Sequence, residues 1–98
     1  MGRIIWSSRA ADQLEALVDF IGTGSPIEAQ RFARKVLHRI TSLESQPELG
    51  GWVIEDETRT YRELLLGNYR IIYRIAPEAI YIVALRHGAR LLDREEFS

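Results

Sequence analysis

Residues 61–90 read YRELLLGNYRIIYRIAPEAIYIVALRHGAR, and the fold turns on how this stretch is cut. Arg62–Leu66, Tyr69–Ile75 and Ile80–Leu85 are rich in Ile, Leu, Val and Tyr and read as three consecutive strands. Gly67-Asn68 separates the first two, and both residues tolerate the positive φ that tight hairpin turns demand. Ala76-Pro77-Glu78-Ala79 makes a longer turn in which proline sets φ. The expectation is a three-stranded antiparallel meander studded with arginines, at Arg62, Arg70, Arg74, Arg86 and Arg90.

Upstream, the periodicity changes from two to about 3.6. A short apolar run at Arg3–Trp6 suggests an opening strand, and Ser7 or Ser8 can cap the next segment. Ala10, Ala11, Leu14, Leu17, Val18 and Ile21 then recur at helical spacing, with Gly22-Thr23-Gly24 expected to end the helix. Ser25-Pro26-Ile27-Glu28 has serine at the cap, proline at the first helical position and glutamate at the third, the pattern of a capping box. Ala29, Phe32, Ala33, Val36, Leu37, Ile40 and Leu43 continue one apolar stripe until Gln46-Pro47 stops it. Two amphipathic helices joined so tightly should pack as an antiparallel hairpin against the sheet. The fold class is α+β, in one domain spanning residues 1–98: a strand, a two-helix hairpin, then the meander. Residues 48–60 read as a loop with an acidic tripeptide, Glu55-Asp56-Glu57, in which Trp52 should lid an edge of the core.

Composition excludes several functions. A chain of 98 residues supports one modest core. It contains no cysteine, and only His38 and His87 could offer imidazole, so neither a disulfide frame, structural zinc nor any other metal or cofactor is expected. No apolar run reaches the roughly 20 residues a membrane helix needs, and the opening residues do not read as a secretory leader, which points to the cytoplasm. A formal net charge of −1 argues against attraction of the whole surface to nucleic acid. Lys35 is the only lysine; every other fixed cation is arginine, whose planar fork suits carboxylate or phosphate.

Side chains alternate along strands, so pairing Leu66 with Tyr69 sorts the sheet into faces. Leu64, Leu66, Tyr69, Ile71, Tyr73, Ile75, Ile80, Ile82 and Ala84 form the apolar face expected to meet the helices. Tyr61, Glu63, Leu65, Arg70, Ile72, Arg74, Tyr81, Val83 and Leu85 form a mixed face of the kind a partner covers. For Arg70 and Arg74 the plain alternative is solvent-facing arginines on a half-buried sheet, paired with Glu63. His87 reads most simply as a surface histidine. His38, with Arg31, Arg34, Lys35 and Arg39, lies on a basic helix face that is either solvated or a weak polyanion patch.

The order of elements, the loop Gln46–Gly50, the strand YRIIYRI at 69–75 and the segment LRHGAR at 85–90 resemble the RelE/ParE superfamily of type II toxin–antitoxin toxins. The resemblance runs from Ile4 to Arg90. It implies one of two activities. RelE-like toxins are ribosome-dependent mRNA endonucleases, in which the ribose 2′-hydroxyl attacks the neighbouring phosphate with help from a base, an acid and cations. Arg70 and Arg90 match two of the arginines of that branch, and Arg62 and His87 would complete the set in this chain. The lysine pair of that branch is absent, since the strand reads Tyr61-Arg62-Glu63-Leu64, and no tyrosine follows Arg90. Arginine, with a pKa above 12, is a poor proton shuttle. The resemblance is therefore to the ParE-like branch, the DNA gyrase inhibitors, with no catalytic centre expected. It implies a cognate antitoxin whose C-terminal segment folds onto the toxin, and makes Arg70, Ile72, Arg74, Tyr81, Arg86 and Arg90 candidate antitoxin- or target-binding residues. The exposed side of the helical hairpin is the other receiving surface.

Overall fold

The computed structural model describes residues 2–88. Its elements are β1 (Ile4–Trp6), α1 (Ser8–Gly24), α2 (Pro26–Thr41), two short 3₁₀ turns (Ser42–Glu44 and Pro47–Leu49), β2 (Gly51–Trp52), β3 (Tyr61–Leu66), β4 (Tyr69–Ile75) and β5 (Ile80–His87). They form one five-stranded sheet in the order β1-β5-β4-β3-β2. The meander is antiparallel, whereas β1 runs parallel to β5 with Ile4 opposite Ile80 and Trp6 opposite Ile82. The expected α+β architecture is the observed one, and β2 is an edge strand within what reads in sequence as loop.

The helix boundaries are set by their caps. Ser7 accepts from the Ala10 amide at 3.0 Å and donates its own hydroxyl to the Val83 carbonyl, tying the start of α1 to β5. At the other end α1 continues through Gly24, and no glycine there adopts left-handed φ. Ser25 alone joins the helices: its amide closes α1 on Ile21, and its side chain accepts from the Glu28 amide at 3.2 Å to open α2. The capping box is therefore half formed. With the Ser25 amide already used, the Glu28 carboxylate turns to Arg31 instead.

Leu66 does pair with Tyr69, and of the turn residues only Gly67 has positive φ, at 59°. That is the first central position, where a type II′ turn requires it. The face assignment holds along β3, β4 and the start of β5, where Ile80 and Ile82 lie under the helices, and fails at Ala84 and Leu85. A bulge between Ile72 and Tyr73 pairs Ile72 with Ala84 but Tyr73 with Ile82, leaving Val83 as the extra residue. Past it the two sides of β5 exchange. Leu85, not Ala84, joins Ala10, Val36, Ile40, Leu43, Leu64, Ile71, Tyr73, Ile80 and Ile82 beneath the helices. Ala84 turns to the opposite side, where it packs with Ile72 and Val53 in a second, smaller core. Gln13 of α1 accepts from the Leu85 amide at 2.8 Å, so a helix side chain satisfies the ladder beside the irregularity.

Candidate functional site

The middle of the mixed face of the sheet is covered by the chain itself. After β2 the backbone turns back across β3 as residues 53–60, with Val53 buried against Ile72 and Ala84. Asp56 holds this strap in shape. Its carboxylate accepts from the amides of Thr58, Thr60 and Tyr61 and from the Thr58 hydroxyl. Burial pushes the Asp56 carboxyl up, but these four donors outweigh it and hold the group below its ordinary value. Arg59, at φ 55°, takes the left-handed conformation that brings the chain back into β3.

From the strap, Glu55 reaches Arg70. Arg70 is 5% exposed. Its Nη1 and Nη2 donate to the two Glu55 oxygens at 2.8 and 2.7 Å, and its Nε donates to Glu63 at 2.6 Å. The bidentate Glu55 contact does most to stabilise the charged guanidinium; burial opposes it and Glu63 adds to it, so proton loss from Arg70 is pushed further beyond reach. Arg86 stands directly opposite Arg70 on β5. Two carboxylates and two guanidinium groups thus share one face, and the acids offset a like-charge pairing that would otherwise be unfavourable.

The other candidates lie apart from this cluster. Arg74 stacks on the Tyr81 ring at 4.3 Å, and the Tyr81 hydroxyl donates to Glu78. Arg62 belongs to the opposite face; it stacks on Trp52 at 4.0 Å and donates to the Gly50 carbonyl at 2.8 Å. Trp52 is accordingly an exposed edge residue held by Arg62, not a lid on the core. His87 meets Tyr69 edge-on at 5.6 Å, and Tyr69 in turn meets Phe32 of α2, on the helical side. Arg90 and the tail 91–98 lie outside the described residues. The structure brings together Arg70, Ile72 and Arg86, and separately Arg74 and Tyr81; it does not bring Arg62 or His87 to Arg70. Glu55 and Asp56, which organise the cluster, read in sequence only as an acidic loop. The run Asp56-Glu57-Thr58-Arg59-Thr60, an aspartate with spaced threonines after it, is the sequence signal for a self-bonded turn.

A second polar feature lies on α2. Arg31, Arg34, Lys35 and His38 line a shallow groove of about 330 Å³. Arg39, at the end of the same helix, donates to the Leu65 carbonyl on β3. No helix among the described residues is long and apolar enough to cross a membrane.

Residues 4–92 match the family model described as the ParE toxin of type II toxin–antitoxin systems, parDE. The chain belongs to the ParE toxin family. Toxin RelE2 of Caulobacter vibrioides is 39% identical over 92 residues, covering 93% of this chain and all of that relative. A solved structure titled "Chromosomal ParDE TA system from P. aeruginosa" superposes with a TM-score of 0.73 at 20% identity, over 89% of this chain and 96% of its own. That likeness carries the fold. The strand, helical hairpin and meander described above are thus those of a ParE/RelE-like toxin of a type II toxin–antitoxin system.

Proposed function

We propose that this ParE-family toxin acts by binding DNA gyrase, without catalysing a reaction, and that a cognate antitoxin neutralises it in the cytoplasm. One observation carries this reading. Arg70, the strand cation that would meet a scissile phosphate, is buried and paired with both Glu55 and Glu63. Phosphodiester cleavage needs an open cation together with groups that carry protons. Arg62 and His87, the other described candidates, lie across the sheet from Arg70. A toxin working by contact has no need of such convergence.

The same geometry refines where an antitoxin would sit. Arg70 and Ile72 are beneath the strap, so recognition falls to residues at the surface. Arg74 and Tyr81 remain partly accessible at one end of the mixed face, and Phe20, Ile27 and Leu37 are exposed on the helical hairpin. An acidic antitoxin segment pairing with Arg74 and laying apolar residues along the hairpin satisfies both.

Two assays on the purified chain test the target. Inhibition of gyrase supercoiling with accumulation of cleaved DNA, and no cutting of mRNA on programmed ribosomes, is the expected pair of results. Transcript cleavage at the ribosome with supercoiling untouched would replace this reading by the endonuclease.

A further inference from the structure

We infer that the basic stripe Arg31-Arg34-Lys35-His38 on α2 is a docking surface for the phosphodiester backbone of duplex DNA. Four of the other described arginines are already used by the fold. Arg70 is locked by Glu55 and Glu63, Arg62 is held by Trp52 and Gly50, Arg74 lies on Tyr81, and Arg39 donates to Leu65. Among the described residues, the side chains of Arg34, Lys35 and His38 make no ion pair or hydrogen bond, and all three are exposed. Arg31 is engaged only by Glu28, in a surface pair with side chains 65% and 55% exposed that a competing anion can replace.

Position and charge then select the ligand. On α2 four fixed cations (Arg31, Arg34, Lys35 and Arg39) face one carboxylate, Glu28, within a chain of net charge −1. Positive charge is therefore denser on this helix than the net charge of the chain suggests. Residues spaced i, i+3, i+4, i+7 share one face and span about 10 Å of helix axis. A DNA strand presents one phosphate per roughly 3.4 Å of its axis, so the stripe covers about three. Apart from the His38 imidazole the stripe offers no ring for base stacking, since Phe32 is turned in against Tyr69, which disfavours single strands. Ile27 and Leu37, the exposed apolar residues of α2, sit towards opposite ends, so the stripe between them is polar. Contacts of this kind are independent of base sequence. The choice of DNA over RNA rests on the gyrase reading, in which the toxin acts on an enzyme already holding a DNA duplex.

The test is a titration of the ¹⁵N-labelled full chain with a short mixed-sequence DNA duplex, at salt concentrations from about 50 to 200 mM. Amide shifts should concentrate on residues 31–38. With three phosphates neutralised, affinity should fall about 40-fold across that fourfold salt range; Arg34→Gln/Lys35→Gln should reduce the fall to about 3-fold. Arg34→Lys should retain most of the wild-type behaviour, and both positions are exposed, so the fold survives to be measured. Shifts confined to the sheet, or an unaltered salt dependence in the double variant, would overturn the inference. So would stronger binding at α2 by poly-glutamate or by an A-form RNA duplex of equal charge, which would make the stripe a peptide or RNA surface. DNA binding at α2 with gyrase unaffected would uphold this surface and remove the gyrase reading. Gyrase inhibition with no DNA bound at α2 would do the reverse.

Discussion

Replacing Arg70 with methionine should be among the most destabilising charge-to-apolar changes in the sheet, because the guanidinium it removes is buried and paired. That group makes three charge-assisted hydrogen bonds, and the side chain is 6% accessible. Methionine keeps much of the side-chain volume but takes the guanidinium away from Glu55 and Glu63, whose side chains are 14% and 20% accessible. Removing one partner of a fully buried pair costs about 3–5 kcal/mol, and the two acids recover part of their hydration here, so about 2–4 kcal/mol is expected. Glu55→Gln keeps the shape yet turns an amide nitrogen towards a cation, and should cost about 1–3 kcal/mol. The double variant leaves a neutral amide beside methionine, so its cost should fall short of the sum by about 1–3 kcal/mol.

Urea denaturation of the four proteins reads these quantities directly. In a thermal melt, Arg70→Met should lower Tm by about 8–32 °C, given roughly 4–8 °C per kcal/mol in a domain of this size. A change within about 0.5 kcal/mol of wild type for Arg70→Met, or strict additivity in the cycle, would refute the lock. The two outcomes differ in meaning: the first would say the strap does not hold Arg70 in solution, the second that Glu55 and Arg70 do not act through each other.

Tyr73 donates to the Pro47 carbonyl and accepts from the Gly50 amide, so Tyr73→Phe should cost about 1–3 kcal/mol in urea by orphaning both groups. Burial raises the Tyr73 phenol above its ordinary value, so the stability it supports is present below the unfolded pKa and lost as pH rises through the folded one; the variant should show a flatter alkaline limb. Asp56 has the opposite sign: its carboxyl is depressed in the fold, so its contribution holds above the unfolded aspartate range and disappears as pH falls through the folded value. Hydrogen exchange at the Thr60 and Tyr61 amides should therefore lose protection in acid, whereas Asp56→Asn, with no carboxyl to protonate, should show weaker protection without that acid-dependent loss. Ala84→Leu should cost about 1–3 kcal/mol in urea by overpacking the small core of Val53 and Ile72, although a face assignment without the bulge would place it beneath the helices.

How far the sequence reads depends on whether the physics is local. The caps at Ser7 and Ser25, the Gly67 turn and the period-two run of β4 are set by neighbours, and each is where the residues put it. The bulge is not local. Ile80-Tyr81-Ile82-Val83-Ala84-Leu85 is apolar or aromatic throughout, so nothing in it says which residue is extra; only packing against α1, with Gln13 on the Leu85 amide, decides that. The parallel pairing of β1 with β5 joins the two ends of the described chain and is equally invisible to periodicity. The strap fails for the same reason. Glu55 looks like one acid among three until the chain folds it onto a guanidinium fifteen residues away.

That last step changes what the arginines mean. A face mixing Arg70, Ile72, Arg74 and Tyr81 has the composition of a surface awaiting a partner, but most of it is occupied from within, and composition cannot tell an intrachain cover from another molecule. A buried cation bound to two carboxylates resists removal of either partner, while an unpaired cation on a helix costs little to change. Substitutions on the two sides of the molecule should therefore separate. Changes at Arg70 act on folding first and alter target recognition only through it, whereas changes at Arg34 or Lys35 leave the fold alone and register in recognition. An Arg70 variant that loses toxicity in a growth assay is consequently uninformative about catalysis until its stability is known. The same loss in Arg34→Gln/Lys35→Gln, with an unchanged urea midpoint, would locate the functional surface on the helix.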